Sequence, residues 1–261
     1  MAGITGKDSG RALNLYKRLG ETPRERLERL RKEKPQYAHE VLSYAGRLDP
    51  MAEGVLICLV GAENKKRDSY LDLSKEYVLD VLFGFSTDSY DVLGKVRDAA
   101  EPVGLKIEDI RQALNEFRGK VPQTYPPFSS KPVDGSPLWS WARGGAIEAL
   151  LLPQRTVTVY QIDIEKTYKV KEADLLSYIE TSVGKVQGDF RQEETLRLWN
   201  QNLMKEGKRE FPCVSIRVAC SSGTYMRSIA NRLGEELELP ALALHILRTK
   251  VGEFTAEKSL K

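Results

Sequence analysis

The sequence predicts an α/β (α+β) protein, because apolar residues recur at strand spacing in some stretches and at helical spacing in others, and the two kinds alternate along the chain. At 261 residues it is long for one domain and short for two, so one large domain, or a domain with an inserted lobe, is expected. No window approaches the roughly 18 uninterrupted apolar residues of a membrane span. The N-terminal stretch lacks the apolar core and small-residue cleavage site of a secretory signal. A soluble, cytoplasmic protein is expected.

The first helix is marked by Thr22-Pro23-Arg24-Glu25, with Thr as N-cap, Pro at the first helical position and Glu three residues after the cap. Leu27 and Leu30 lie on one face, and the helix should end before Pro35. Gly54 to Gly61 is a short apolar run between glycines and reads as a buried strand. Tyr77 to Phe83 reads as a second strand, followed from Gly84 to Gly94 by a polar, acidic loop. Ile107, Ile110, Leu114 and Phe117 recur at helical spacing before Gly119, which predicts a helix over 107–118.

From Pro122 to Gly145 the chain is rich in Pro, Ser and Gly, with Tyr125, Phe128, Trp139 and Trp141 among them. It reads as a long loop, and such loops in compact domains tend to be functional. Val157 and Val159, then Val214, Ile216 and Val218, alternate with polar neighbours as half-buried strands. Between them Leu175, Leu176, Ile179 and Val183, then Leu196, Trp199 and Leu203, mark two amphipathic helices. Thr224 is expected to cap a last helix that turns Ile229, Ala230, Leu233 and Leu237 inward. Leu244 to Phe254 then closes the chain as a strand.

The net charge is only +3, but it is uneven: residues 1–40 hold ten Lys and Arg against six Asp and Glu. A basic N-terminal face over a neutral body suits phosphate contact. Cys58, Cys213 and Cys220 are an odd number without zinc-ligand spacing, and read as small buried hydrophobes.

Four motifs carry chemistry. Gly46-Arg-Leu-Asp-Pro-Met-Ala-Glu-Gly54 puts one carboxylate on a turn just before a buried strand, where the proline biases Asp49 to extended geometry. Lys75-Glu-Tyr77 opens a strand that runs into Gly84-Phe-Ser-Thr-Asp-Ser-Tyr-Asp-Val-Leu-Gly94. Gln123-Thr-Tyr-Pro-Pro-Phe-Ser-Ser-Lys-Pro-Val-Asp-Gly135 is followed by Leu138 and by Ala142-Arg143-Gly144. Cys220-Ser-Ser-Gly-Thr-Tyr-Met-Arg-Ser places Arg227 in the first turn of a helix, where it opposes the helix dipole and calls for an anionic partner.

In this order the four blocks resemble the TruB-type pseudouridine synthases, whose signatures read G-T-L-D-P-x-A-x-G, K-x-Y with T-D-x-x-D-x-x-G, Q-x-P-P-x-x-S-A-x-K-x-x-G and C-x-x-G-T-Y-x-R-S-x-x-x-x-L-G. The similarity runs from about Lys17 to Leu247-Arg248. It implies a mixed, largely antiparallel sheet flanked by helices around a central cleft. It implies a single catalytic domain, here over 1–261, with an RNA-gripping loop at about 123–145; a helical insert at about 166–212 and the lack of a C-terminal PUA domain are expected from this sequence and not from the family. By the same resemblance Asp49 is the nucleophile, Tyr77 packs on the flipped base, and Arg227 pairs with Asp49. Tyr225 and Leu247 then line the uracil pocket, with Tyr44 and Lys17 as further substrate contacts.

The implied partner is the T-arm of tRNA, acted on by a monomer without cofactor or metal. The sequence departs from the family in four places. Tyr44 stands where the family usually has a histidine, Gly20-Glu-Thr-Pro23 replaces G-x-T-S, the 166–212 insert is long and helical, and no PUA domain is expected after Arg248. The rival readings are a synthase directed by a guide RNA and a catalytically silent tRNA chaperone of the same fold.

Overall fold

The structure, a computed structural model, describes residues 10–203 and 209–261. Part of the basic N-terminal stretch and part of the 166–212 insert therefore lie outside the described residues. In chain order the elements begin with β1 (Arg11–Lys17), α1 (Pro23–Glu33), β2 (Leu42–Ala45), β3 (Ala52–Val60), α2 (Arg67–Leu71) and β4 (Lys75–Phe83). Next come β5 (Phe85–Thr87), β6 (Val96–Ala99), α3 (Ile107–Asn115), β7 (Gly119–Thr124), β8 (Pro132–Val133), β9 (Ser136–Pro137) and α4 (Leu138–Arg143). The chain closes through β10 (Gln154–Lys171), α5 (Glu172–Gly184), α6 (Gln192–Leu203), β11 (Glu210–Cys220), α7 (Met226–Glu236), β12 (Ala241–Val251) and β13 (Phe254–Thr255).

The main sheet runs β1-β3-β12-β4-β11-β10-β7, with β2 also on β3 and β13 on β12. Its pairings are antiparallel except that of β3 with β12, so the sheet is mixed and largely antiparallel, as the resemblance implies. Strand alternation divides the apolar side chains between two cores. On one face Tyr77, Leu79, Val81 and Phe83 of β4 pack with Ile110 and Leu114 of α3 and Ile229 and Leu233 of α7. On the other, Leu82, Cys213 and Leu242 pack with Leu175, Ile179 and Trp199 of α5 and α6. A third cluster sets Leu27 and Leu30 of α1 against Leu15 and Leu56 at the β1 end.

The helix expected from Thr22 forms as read, and both halves of its capping box are made: Thr22 Oγ1 accepts from the Glu25 amide at 3.2 Å and Glu25 from the Thr22 amide at 2.6 Å. All three cysteines are buried, and burial pushes the thiols of Cys58 and Cys213 up to about 12 and that of Cys220 to about 11. Among the described residues no helix is long and apolar enough to cross a membrane.

Four expectations need correction. The Gly84–Gly94 stretch is not a solvated loop: it begins as β5, and Phe85, Thr87, Ser89, Asp91 and Val92 are all buried. Residues 122–145, called the arm below, are not one loop but the end of β7, the small β8–β9 hairpin and α4, anchored by the fully buried Leu138. The insert begins as strand rather than helix, because residues up to Lys171 extend β10 along β11; its described helical part is α5 and α6. Thr224 does not cap α7. Its hydroxyl donates backwards to Ser221 O at 2.9 Å, closing the preceding turn, and Tyr225 takes the N-cap position.

Candidate active site

Asp49 and Pro50 form the turn between β2 and β3, closed by a hydrogen bond from the Ala52 amide to Asp49 O at 3.0 Å. Two buried cations support this turn through its carbonyls. Arg248 of β12 donates to Val55 O at 2.7 Å, Gly46 O at 2.9 Å and Arg47 O at 3.3 Å. Lys17, at the end of β1, donates to Arg18 O at 3.0 Å, Pro50 O at 3.5 Å and Glu21 O. β3 and β12 approach so closely here that a Cβ on Gly54, at φ +105, would lie 2.2 Å from Arg248 O. Only glycine fits that crossing.

Arg227 reaches the same turn from the second position of α7. Its backbone is steadied by Gln123 of β7, whose side-chain amide accepts from Tyr225 N at 2.7 Å and donates to Tyr225 O at 3.1 Å. The guanidinium then spreads over three segments. Nε donates to Asp49 Oδ2 at 2.8 Å, Nη1 to Ser89 O at 2.7 Å and Nη2 to Phe128 O at 3.2 Å. Asp91 Oδ2 stands 3.7 Å from the same Nε. The anionic partner required by an arginine at a helix start is thus two carboxylates.

These carboxylates differ in setting. The Asp49 side chain is 28% exposed, whereas that of Asp91 is 5% exposed and accepts from Ser89 Oγ at 2.6 Å and Leu93 N at 3.1 Å. Burial pushes the Asp91 carboxyl up to about 6, outweighing the opposing charge of Arg227. Burial pulls Arg227 the other way, but the charges of Asp49 and Asp91 more than offset it and hold its pKa above the usual arginine value. Arg227 is therefore a cation at any neutral pH.

The structure brings Tyr77 and Tyr225 to this site. Tyr77 is buried on β4, its phenol pushed up by burial against the charge of Arg248, with Asp49 also acting on it. Tyr225 is half-buried, also raised by burial and then by Asp49, and its ring meets Tyr125 edge-on at 5.6 Å. Leu247 is half-buried on β12, in register with Val78 and Glu53.

Tyr44 and Lys17 differ in setting. Tyr44 lies on β2 and packs against the cluster under α1. Lys17 is completely buried, and burial pulls its ammonium down to about 7, against Glu21 and Asp49. With its donors turned to carbonyls beneath the turn, it braces Asp49 from below and is closed to a substrate. Sequence reasoning also missed Asp91, Ser89, Phe128, Gln123 and Arg248. For Asp91 the signal was present in the spacing Thr87-Asp-Ser-Tyr-Asp91, and for Gln123 in its position at the head of the third motif.

Residues 34–187 match the family described as TruB family pseudouridylate synthase (N terminal domain). The chain belongs to that family. Relatives named tRNA pseudouridine synthase B include those of Caldanaerobacter subterraneus subsp. tengcongensis, 28% identical over 95% of this chain and 70% of the relative, and of Borreliella burgdorferi, 32% identical over 84% and 62%. A third, from Nostoc sp., is 31% identical over 95% of this chain and 69% of its own length. This chain thus spans about two thirds of the relatives it matches.

Among solved structures, a crystal structure of a Cbf5–Nop10–Gar1 complex superposes with a TM-score of 0.56 at 20% identity, over 94% of this chain and 49% of that one. An H/ACA RNP bound to a substrate RNA containing 2′-deoxyuridine gives 0.54 at 20% identity, over 95% and 50%. These likenesses show the pseudouridine synthase fold.

Proposed function

We propose that this TruB family protein isomerises a uridine in the T-loop of tRNA to pseudouridine, with Asp49 as nucleophile. The observation that carries the reading is the Asp49–Arg227 pair: a carboxylate on a braced turn, partly exposed, with a buried guanidinium 2.8 Å away. The reaction cleaves an N-glycosidic bond, turns the base and rejoins it through C5, losing the C5 proton and gaining one at N1. Nothing is oxidised or reduced. What the chemistry requires is an ionised carboxylate shielded from water yet within bonding reach of C1′ or C6. Arg227 gives that carboxylate a fixed, charged hydrogen-bond partner at 2.8 Å.

Reaching the base requires extruding it from the RNA, and the Tyr77 ring offers a face that offsets part of the lost stacking. Tyr225 and Leu247 complete the uracil pocket in this reading. The catalytic body is residues 1–261 in this reading, and the arm grips RNA around the extruded base. Lys131 lies 5.5 Å from the centre of the Tyr125 ring, Arg47 bonds Ser130, and Trp139 of α4 is exposed, so the arm presents cations and aromatics together. That combination suits phosphates and unpaired bases. The names of the relatives point to tRNA as the RNA.

The test is tritium release from tRNA carrying 5-³H-uridine, incubated with the purified protein alone. An isolated T-arm hairpin is expected to react within about tenfold of full tRNA, a difference of about 1.4 kcal/mol or less in transition-state binding. Both RNAs remaining inert until a guide RNA or a partner protein is added would overturn the stand-alone reading.

A further inference from the structure

The chemistry just described leaves unused one motif residue, Asp88, and one segment, the connection between α5 and α6. The structure joins them. The Asp88 carboxylate takes both terminal nitrogens of Arg191, Nη1 at 2.6 Å and Nη2 at 3.2 Å, and accepts the Lys95 amide at 2.9 Å. The same guanidinium lies over the Phe128 ring, 4.3 Å from its centre. A bidentate, stacked and largely shielded pair is a different object from a surface salt bridge, which contributes little.

The two residues that Arg191 grips sit at the two carbonyls that orient Arg227. Asp88 immediately precedes Ser89, whose carbonyl holds Arg227 Nη1, and Phe128 itself supplies the carbonyl that holds Nη2. Arg191 is well placed to transmit rigidity. It sits at φ 64, in the left-handed region, where its amide donates to Asp189 Oδ1 at 3.2 Å and its carbonyl accepts from Thr195 N at 2.9 Å. Gln192 ties the same connection to Val186 O at 3.0 Å and Gly188 O at 2.8 Å. Behind it, Trp199 donates to Val92 O at 3.1 Å and Thr195 to Leu93 O at 3.2 Å, fastening α6 to the buried 85–93 stretch. Asp189 pairs with Arg143 of α4, a second hold on the arm.

We propose that Arg191 is a positioning residue for the isomerisation: from the α5–α6 connection it fixes the Ser89 and Phe128 carbonyls that aim Arg227 at Asp49. The inference rests on the function proposed above. Arg191 works through Asp88 and Phe128 and does not touch substrate, so its loss acts on the chemical step more than on RNA binding.

Tritium release from a 5-³H-uridine T-arm hairpin gives kcat and KM. For Arg191→Ala, kcat is expected to fall ten- to a hundredfold while KM changes less than about threefold. Arg191→Lys, which keeps the charge but lacks the planar fork, is expected to restore stability and only a few fold of the lost kcat. Because the Phe128 ring is one of the two supports through which Arg191 acts, adding Phe128→Leu to Arg191→Ala is expected to cost no more than a few fold beyond the larger single loss. Should Arg191→Ala fail to fold, Asp88→Asn carries the same kcat expectation. Independently of activity, hydrogen exchange of residues 126–143 is expected to quicken at least tenfold in Arg191→Ala while the central strands keep their protection. An unchanged kcat, a raised KM with kcat intact, a fully multiplicative double variant or unchanged exchange would each overturn the inference. An inert wild-type chain would count against the proposed function alone, and the exchange comparison would then decide whether Arg191 holds the arm.

Discussion

Two buried guanidinium groups converge on the Asp49 turn, and they are satisfied in different ways. Arg248 spends its hydrogen bonds on three carbonyls of one continuous stretch, residues 46–55, inside a sheet whose strands are already paired. Arg227 meets a carboxylate and two carbonyls drawn from three separate segments. A cation on carbonyl dipoles fixes backbone shape first of all. A cation on a carboxylate sets charge, and its aim is only as good as the loops that hold it. Of the two groups beside one turn, Arg248 therefore serves the fold and Arg227, in the function proposed above, the chemistry.

The sharpest way to break this distinction is Asp49→Asn, which removes the charge that Arg227 serves. Tritium release is expected to fall more than about 10⁴-fold, while RNA affinity measured by filter binding stays within a few fold, since phosphate contacts supply most binding. Turnover surviving in that variant would take Asp49 out of the mechanism.

Next comes Arg227→Lys, for which a loss of about 10²–10³ in kcat is expected at nearly unchanged RNA affinity. The contact to Asp49 is through Nε alone rather than a two-pronged grip, so the planar fork matters because it must also reach Ser89 O and Phe128 O. A lysine cannot span three acceptors so spread, and near-normal activity would mean that charge alone suffices.

Arg248→Met is expected to act on stability instead. It strands three buried carbonyls and should lower unfolding free energy by about 3 kcal/mol, read by denaturant titration. A variant of full stability but no activity would reverse the roles assigned to the two arginines.

The smallest effect concerns Asp91. Its folded pKa, about 6, lies above the ordinary 3.8, so between those values the native state binds more protons than the unfolded one. Stability contributed at this site is therefore present below about pH 4 and lost as pH rises through 6, by on the order of 2–3 kcal/mol. Asp91→Asn should abolish that fall, so the stability difference between wild type and variant is expected to shrink from pH 4 to 6 and stay flat above 7. A difference independent of pH would show that Asp91 is ionised throughout.

What the sequence made legible was local. The α1 cap reads directly because a capping box involves residues three apart, β3 reads from an apolar run between glycines, and β4 from the strand-like stretch Tyr77 to Phe83. The Asp49 turn and the first-turn arginine of α7 were visible as motifs, and the resemblance paired them. What stayed hidden depends on depth and on distant partners. Lys17 and Arg248 look like surface charges, since nothing near them in sequence announces the carbonyls that let an ammonium or guanidinium lie fully buried. Asp88 and Asp91 share one motif, yet one faces Arg191 and the other Arg227. β1 and β2 were missed because β2 has only four residues and β1 fully buries only Leu15 and Lys17, their strand character coming from β3 between them. The arm read as loop because its strand segments are two residues long.

The parallel pairing of β3 with β12 sets a timetable. Arg248 is 202 residues from the Gly46 carbonyl it holds, and Arg227 is 178 residues from Asp49. At roughly 5–20 residues per second, a ribosome delivers Asp49, the proposed nucleophile, on the order of 10–40 s before its counter-ion and the brace beneath its turn. For that interval β3 has no β12 to lie against, and such long-range closures are the slow part of folding. The emerging chain therefore carries Asp49 without its ion-pair partner until nearly all of the described sequence has been made.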